Sequence, residues 1–190
     1  MKEDMWDNQE LVQVLKSGGV AVMPTDTIYG IVGQARNKAT VERIYKIRKR
    51  APDKPCIILI SDESELGNFS ITLSGVEREK LATYWGNGDR PTSVVLDCPD
   101  EALSYLHRGT YTLAFRKPHV EQLRALLAKT GPLVAPSANI EKFPPSNTVD
   151  DAKNYFGDAV DLYIDGGPIR GQASTVMKLH PNGSLSIIRK

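Results

Sequence analysis

Apolar residues recur at helical spacing in several stretches of the chain, and short runs rich in β-forming residues separate these stretches. Apolar positions at i, i+3, i+4 and i+7 predict helices, and these include residues 11–15, 41–48, 76–85, 120–127 and 149–155. Strands are predicted over residues 20–23, 57–60, 93–96, 111–115, 133–135, 162–164 and 175–179. This alternation, with a hairpin turning at residues 181–184, predicts a single α/β domain over residues 1–190, with helices flanking a twisted mixed β-sheet.

One of the helical faces contains a cation. The residues on this face are Val41, Ile44, Tyr45 and Arg48. The spacing places the guanidinium of Arg48 on the side that should point inward, where a charge needs a partner. Pro52 and Pro55 end the helix before the strand at residues 57–60. Arg48 and Arg50 are therefore expected at a helix-to-strand corner, a common position for ligand sites in α/β sheets.

The alternative is a solvated basic cluster. Lys46, Lys49 and Lys54 surround the two arginines in the sequence, and the charge count alone favours an exposed group of this kind. The position of Arg48 on an apolar helix face is the observation against it. The two hypotheses differ on one measurable property, which is the burial of Arg48.

Composition narrows the classes of function. The 190 residues suffice for one domain with a sizeable core, and 24 Lys and Arg against 23 Asp and Glu give a net charge of +1. No global field then attracts nucleic acid or a membrane, so any anion site must be local. Cys56, Cys98 and the three histidines have no metal-like spacing, which argues against a zinc site. The sequence shows no signal peptide or membrane-length apolar run, so a cytoplasmic protein without membrane association is expected.

Three polar segments are candidates for ligand binding. The segment 24–33, PTDTIYGIVG, places hydroxyl and carboxyl groups beside glycines that let backbone approach a ligand. Ser137 and Asn139 follow the strand 133–135, and both can point at one ligand if the chain stays extended. The glycine-rich segment 165–175 offers backbone amides to an anion, but it lacks the lysine of a P-loop. Each segment taken alone is also typical of an ordinary turn.

Together these segments resemble the threonylcarbamoyl-adenylate synthase family, the YrdC-like proteins, over about residues 20–189. The motifs are PTDTIYG at 24–30, R-x-R and DKP within 48–55, AFR at 114–116, APSAN at 135–139, and DGGP followed by STV within 165–176. The resemblance implies a YrdC-like fold with a concave, positively lined cleft. It also implies synthesis of threonylcarbamoyl-AMP and pyrophosphate from L-threonine, bicarbonate and ATP. A separate transferase complex would then pass the group to adenosine in tRNA.

The resemblance assigns roles to residues by position. The phosphate-binding and catalytic set falls on Arg48, Arg50, Ser137 and Asn139. Further ATP contacts fall on Thr112 and Arg189. The threonine pocket falls on Thr25, Arg116, the backbone of Ala135, and Ser174. Arg116 is suited to hold the carboxylate of the amino acid by a paired hydrogen bond. Mg²⁺ bridging the ATP phosphates is expected, and no carboxylate cluster in the sequence identifies protein ligands for it.

The chain departs from the family pattern at three places. Arg48 stands where the active enzymes usually have lysine, Ala51 stands where they have proline, and the segment 85–92 is two residues longer. The arginine favours an alternative function, that of a YrdC-like paralogue which binds RNA without synthase activity. Weak, nonspecific binding of tRNA or double-stranded RNA through the basic cluster is then expected. A third alternative, the carbamoyl-adenylate domain of hydrogenase maturation proteins, occurs in much longer chains with additional domains.

Overall fold

The structure, a computed structural model, describes residues 3–86 and 90–190. Its α-helices are α1 (Gln9–Lys16), α2 (Lys38–Arg48), α3 (Gly75–Trp85), α4 (Ser104–His107), α5 (Glu121–Thr130) and α6 (Val149–Phe156). Its strands are β1 (Ala21–Pro24), β2 (Tyr29–Gln34), β3 (Ile57–Leu59), β4 (Thr92–Asp97), β5 (Thr112–Arg116), β6 (Leu133–Val134), β7 (Leu162–Tyr163), β8 (Thr175–Leu179) and β9 (Leu185–Arg189). Of the segment 85–92, which departs from the family pattern, residues 87–89 lie outside the described part of the chain.

Within the described residues the strands form one sheet in the order β7-β1-β2-β6-β3-β5-β4-β8-β9. Strands β1/β7, β3/β5 and β4/β8 pair in parallel, and the other neighbouring pairs are antiparallel. The prediction of an α/β domain on a mixed sheet is confirmed. Strand β2 was not predicted, because its glycines and the preceding polar residues indicated a loop.

The glycines of β2 serve packing. A Cβ atom built on Gly33 would clash with the methyl group of Thr40, so the missing side chain lets α2 lie directly on this strand. Helix α2 begins where the side chain of Asn37 accepts a hydrogen bond from the amide of Thr40 (3.1 Å). It ends where Lys49 adopts a left-handed conformation (φ 50°). The helix thereby places Arg48 beside the segment that follows β6.

The two faces of the sheet are covered unequally. Alternate residues of β1 enter different apolar clusters, with Val22 on one face and Met23 on the other. The first cluster includes residues of β3, β4, β5 and β8, together with α2, α3, α4 and α6. The second cluster includes α1 and α5 but, among the described residues, nothing from β4, β5, β8 or β9. The second face of these four strands is therefore left open.

Tyr29 fastens the glycine-rich segment 165–174 to the sheet. The ring is fully buried, its hydroxyl donates to the carbonyl of Gly167 (2.9 Å), and it accepts from the amide of Gly166 (3.0 Å). Burial raises the pKa of this hydroxyl, so it remains protonated and able to donate at neutral pH. The segment is thus held at its start by one side chain of β2.

Replacement of Tyr29 by phenylalanine leaves the buried amide of Gly166 without this partner. We expect the free energy of unfolding to fall by about 1–3 kcal/mol, the cost of a buried unpaired polar group. Denaturant titration measures this change. The matched control is Tyr163→Phe, whose hydroxyl donates to the carbonyl of Gly157 at an exposed position (2.7 Å), and its effect should stay within about 0.5 kcal/mol. Equal losses for the two variants would contradict the assigned role of Tyr29.

Candidate functional site

A cleft of about 220 Å³ lies where the uncovered face of the sheet meets the ends of β1, β5 and β6. Its walls bring together residues that are far apart in the chain. They are Thr25, Thr27, Ile28, Gly30, Arg50, Ile57, Arg116, Ala135, Pro136, Ser137, Pro145, Ala173, Ser174 and Arg189. All four residues assigned to a threonine pocket are in this set, as are three of the residues assigned to ATP. The cleft is therefore the candidate site.

The threonine-pocket end is built around a buried arginine. Arg116 is the last residue of β5, and its side chain is 4% exposed. Its Nη2 atom lies 2.8 Å from Oδ1 of Asp26, whose side chain is 3% exposed. Burial lowers the pKa of Arg116, and the charge of Asp26 acts in the opposite direction. The pair keeps a guanidinium charged inside the protein, and Nε of Arg116 has no hydrogen-bond partner among the described residues.

Sequence reasoning did not identify Asp26 as the partner of Arg116. The signal was available, because a buried arginine requires a counter-charge and Asp26 lies in the same PTDT segment as Thr25. The turn between β1 and β2 brings the two together. The amide and the hydroxyl of Thr25 both donate to the carbonyl of Ile28 (3.0 and 2.7 Å), which closes this turn over the end of β5.

Arg48 lies behind the cleft and has protein partners. Its side chain is buried, and the residue is 2% exposed. Nε donates to the carbonyl of Asn139 (3.1 Å), while Nη2 donates to Oδ1 of Asn139 (3.1 Å) and to Oγ of Ser137 (3.2 Å). The inward position predicted from the helical spacing is confirmed. The solvated-cluster hypothesis is wrong for Arg48, although Lys46 and Lys49 are exposed as it requires.

Burial lowers the pKa of Arg48 to about 10, and the nearby charge of Arg50 adds to this effect. The group therefore stays protonated at neutral pH. Its Nη1 atom is buried without a hydrogen-bond partner among the described residues. Arg48 thus supplies a fixed positive charge directly beneath the segment that contains Ser137.

Of the two S-x-N residues, only Ser137 lines the cleft. This segment is extended, because Ser137 forms a bridge with Gly30 and the amide of Ala138 donates to the carbonyl of Tyr29 (2.9 Å). Asn139 is buried, and its side-chain nitrogen Nδ2 donates to the backbone carbonyls of Ile140 (2.8 Å) and Phe143 (2.7 Å). The structure uses Asn139 to shape the turn that follows. Contacts of Arg48 and Asn139 with phosphates remain predictions.

Two further arginines lie on the cleft wall. Nε of Arg50 donates to the carbonyl of Lys54 and Nη2 to that of Pro55 (both 2.9 Å). Nη2 of Arg189 donates to the carbonyl of Ser174 (2.9 Å). The lining residues thus include three guanidinium groups and no carboxylate among the described residues. Such a wall suits an anionic ligand.

Ser93 contacts a lining residue of the cleft, Ser174, and sequence reasoning missed it. It is fully buried on β4, and its hydroxyl lies 2.8 Å from that of Ser174. Nothing in the local sequence distinguishes it from an ordinary strand serine. Thr112 begins β5, four residues before Arg116, and does not belong to the described lining of the cleft. Alternation along a strand places both side chains on one face, so an ATP contact by Thr112 remains a prediction.

Metal binding and membrane insertion each require a recognisable arrangement of residues. Within residues 3–86 and 90–190, no three His, Cys, Asp or Glu side chains are grouped so that they could hold a metal ion. Across the same residues, none of the helices combines the length and the apolarity that crossing a membrane requires. Both cysteines are free and buried.

Comparison with known proteins places these features in context. The family model Sua5_yciO_yrdC, described as telomere recombination, matches residues 13–190. The threonylcarbamoyl-AMP synthase of Bacillus subtilis is 32% identical over 171 residues, covering 86% of this chain and 47% of that protein. The threonylcarbamoyl-AMP synthase of Pyrococcus abyssi is 30% identical over 177 residues, covering 92% and 51%. This chain therefore spans about half the length of those two relatives.

Solved structures agree with these matches. Pyrococcus abyssi Sua5 complexed with L-threonine superposes with a TM-score of 0.79 at 30% identity, covering 92% of this chain and 51% of that one. Escherichia coli YciO superposes with a TM-score of 0.78 at 21% identity, covering 100% and 90%. The second likeness concerns the fold alone. In the first likeness, the Pyrococcus protein has the same fold and contains bound L-threonine.

Replacement of Arg48 by alanine should destabilise the protein. The carbonyl and Oδ1 of Asn139 lose their donors in a buried place, which costs about 1–3 kcal/mol for each unsatisfied group. Arg48→Lys should recover only part of this loss, because an ammonium cannot reproduce the planar fork of donors. The free energy of unfolding from denaturant titration measures both effects.

The control for this prediction is Lys46→Ala, two residues before Arg48 and on the exposed side of α2. Its effect should remain within about 0.5 kcal/mol. If Arg48→Ala were as mild as the control, the hydrogen bonds to Asn139 would contribute nothing.

Proposed function

The chain belongs to the Sua5/YciO/YrdC family, and on that premise we propose that it is a threonylcarbamoyl-AMP synthase, a nucleotidyltransferase that uses L-threonine, bicarbonate and ATP. One observation carries the proposal. Residues assigned separately to threonine and to ATP line a single cleft, with Thr25 and Arg116 at one end and Arg50, Ser137 and Arg189 beside them. Relatives named as this synthase favour it over an RNA-binding protein without activity.

The threonine end of the cleft suits an α-amino acid. Arg116 is held in a fixed orientation by Asp26, and its Nε has no hydrogen-bond partner among the described residues. A guanidinium that is already desolvated and oriented binds a carboxylate with less loss of conformational freedom. The hydroxyl groups of Thr25 and Ser174 lie on the same walls and supply polar contacts.

The reaction then needs two reactants held in line. The amine of threonine and bicarbonate give a carbamate and water, and a carbamate oxygen attacks the α-phosphorus of ATP. The bond from the α-phosphorus to the bridging oxygen breaks, and pyrophosphate leaves. Positive charge from Arg50 and Arg189, with the dipole of the Ser137 hydroxyl, would offset the charge that gathers on the phosphates. No covalent protein nucleophile is required.

Mg²⁺ bound together with ATP would neutralise part of the negative charge on the phosphates. The described residues offer no carboxylate cluster on the cleft wall, so the ATP oxygens and water would supply the ligands, and we assign no step to the metal. The product would pass, in the cytoplasm, to a separate transferase complex acting on tRNA. The exposed side chains of Lys46, Lys49 and Lys54 would give at most weak, salt-sensitive binding of tRNA or double-stranded RNA.

Pyrophosphate release from ATP tests the proposal. The protein is incubated with ATP and Mg²⁺, with and without L-threonine and bicarbonate, and the adenylate is identified by mass spectrometry. Release should require both co-substrates. Release that is independent of threonine, or no release together with salt-resistant binding of tRNA, would reject the synthase in favour of another activity.

Removing the charge of Arg116 should weaken threonine binding selectively. Arg116→Ala alone would leave Asp26 as an unpaired buried charge, so the test uses the double variant Asp26→Asn/Arg116→Ala. Loss of a charge-assisted pair should lower threonine affinity roughly ten- to hundredfold, with ATP affinity nearly unchanged. Calorimetry measures both affinities.

The reciprocal control is Arg50→Ala, which should weaken ATP binding and spare threonine. If the double variant lost affinity for ATP and threonine to the same extent, a general collapse of the cleft would explain the result better than a carboxylate contact.

A further inference from the structure

The side chain of Glu141 contacts the loop that contains Arg50. One carboxylate oxygen, Oε1, lies 2.6 Å from Nζ of Lys54, and the other, Oε2, accepts a hydrogen bond from the amide of Ala51. The amide of Glu141 itself donates to the carbonyl of Arg48 (2.9 Å). Glu141 therefore contacts loop 49–55 at Ala51 and at Lys54, and it also contacts Arg48, the residue just before this loop.

The same loop orients the guanidinium of Arg50. Nε and Nη2 donate to the carbonyls of Lys54 and Pro55, so the direction of the side chain is set by the backbone at residues 54 and 55. Any shift of this backbone moves a cation that lies on the cleft wall. Glu141 does not belong to the described lining of the cleft, so any effect on a ligand is indirect, and the loop that orients Arg50 is one route for it.

Glu141 also lies two residues beyond Asn139, in the turn that follows Ser137. It thus connects the segment after β6 with the segment after α2, the two segments that form one wall of the cleft. Ala51 makes part of this connection possible, because a proline at that position would have no amide hydrogen to donate. Alanine in place of the family's proline therefore permits the hydrogen bond from the amide of residue 51 to Glu141.

The carboxylate of Glu141 stays charged at neutral pH. The hydrogen bond from Lys54, followed by that from Ala51, lowers the pKa of Glu141 from its ordinary value of 4.5 to about 2. Because the folded-state pKa is depressed, the stabilisation is fully present above about pH 4.5 and is lost as the pH falls through about 2. Its side chain is 16% exposed, against 55% for Lys54, so Glu141 is the anchored member of the pair.

We propose that Glu141 is a positioning residue, which holds loop 49–55 so that Arg50 points at the phosphates of ATP. This role rests on the proposed function, since it presumes that the cleft binds ATP. The competing explanation is a surface ion pair between Glu141 and Lys54 without influence on the site. Exposed ion pairs typically contribute little to stability. The two explanations differ in what they predict for ATP.

The test compares Glu141→Gln with wild type in the full chain. A glutamine keeps the size of the side chain, but it has one acceptor oxygen in place of two and no charge. ATP affinity should fall about tenfold, as expected for a misplaced positioning group, while threonine affinity and KM remain within about twofold. Amide exchange at Ala51 should accelerate in the variant. Equal ATP affinities in the two proteins would overturn the proposal.

The matched control is Glu65→Gln. Oε2 of Glu65 accepts from the amide (2.6 Å) and hydroxyl (2.9 Å) of Ser61, so it also holds a loop, but it lies outside the described lining of the cleft. ATP affinity should be unchanged in this variant. A comparable loss of affinity in Glu65→Gln would show that any loosened loop weakens the site, which overturns a specific role for Glu141.

A double-variant cycle shows whether Glu141 acts through Arg50. In an Arg50→Ala background, Glu141→Gln should cause little further loss of ATP affinity, because the group that it positions is gone. A full additional tenfold loss would overturn the proposed route. If wild type released no pyrophosphate, the proposed function would fail, yet calorimetry with ATP needs no turnover and would still decide the role of Glu141. If wild type bound no ATP, both proposals would fall.

Discussion

A buried guanidinium group must have hydrogen-bond acceptors, and this requirement of Arg48 determines how the site is assembled. Arg48 is on the apolar face of α2, and it can stay there only because Asn139 and Ser137 accept its hydrogen bonds. Those acceptors lie in the segment that follows β6, which is 91 residues from Arg48 at Asn139 and 89 residues from it at Ser137. The interaction therefore joins the end of α2 to the end of β6, and the cleft forms where these two ends meet the tip of the β1/β2 hairpin.

Unequal coverage of the sheet supplies the space. Helices α1 and α5 cover the second face over β1, β2, β3 and β6, whereas the described part of this face over β4, β5 and β8 has no helix on it. Arg116 alternates onto this face and lines the cleft, and Ser93 on the same face contacts the lining residue Ser174. The chain then restricts the opening with the segment 165–174, which Tyr29 fastens in place. The position of the cleft thus follows from the incomplete coverage of the sheet by helices.

Much of this architecture is predictable from periodicity and motif order. Apolar spacing located α2 and showed that Arg48 points inward, and the motif resemblance located seven residues that do line the cleft. Prediction failed where partners come from distant segments. Asp26, Ser93 and Glu141 each act through a contact across the fold, and no spacing in the sequence indicates which arginine, serine or backbone amide each one meets. Strand β2 was missed for a different reason, because Gly33 reflects close packing against α2 and not a turn.

The contact between Arg116 and the turn at Thr25 has a further consequence, which concerns the order of events during folding. These residues are 91 positions apart, and those that join Arg48 to Asn139 are equally distant in sequence. Contacts of such long range require a large loss of chain entropy before they contribute any stabilisation. The cleft therefore cannot form while only local structure, such as α2 or the β8/β9 hairpin, is present. A chain with only local structure would have no site, so the capacity to bind a ligand also reports that folding is complete.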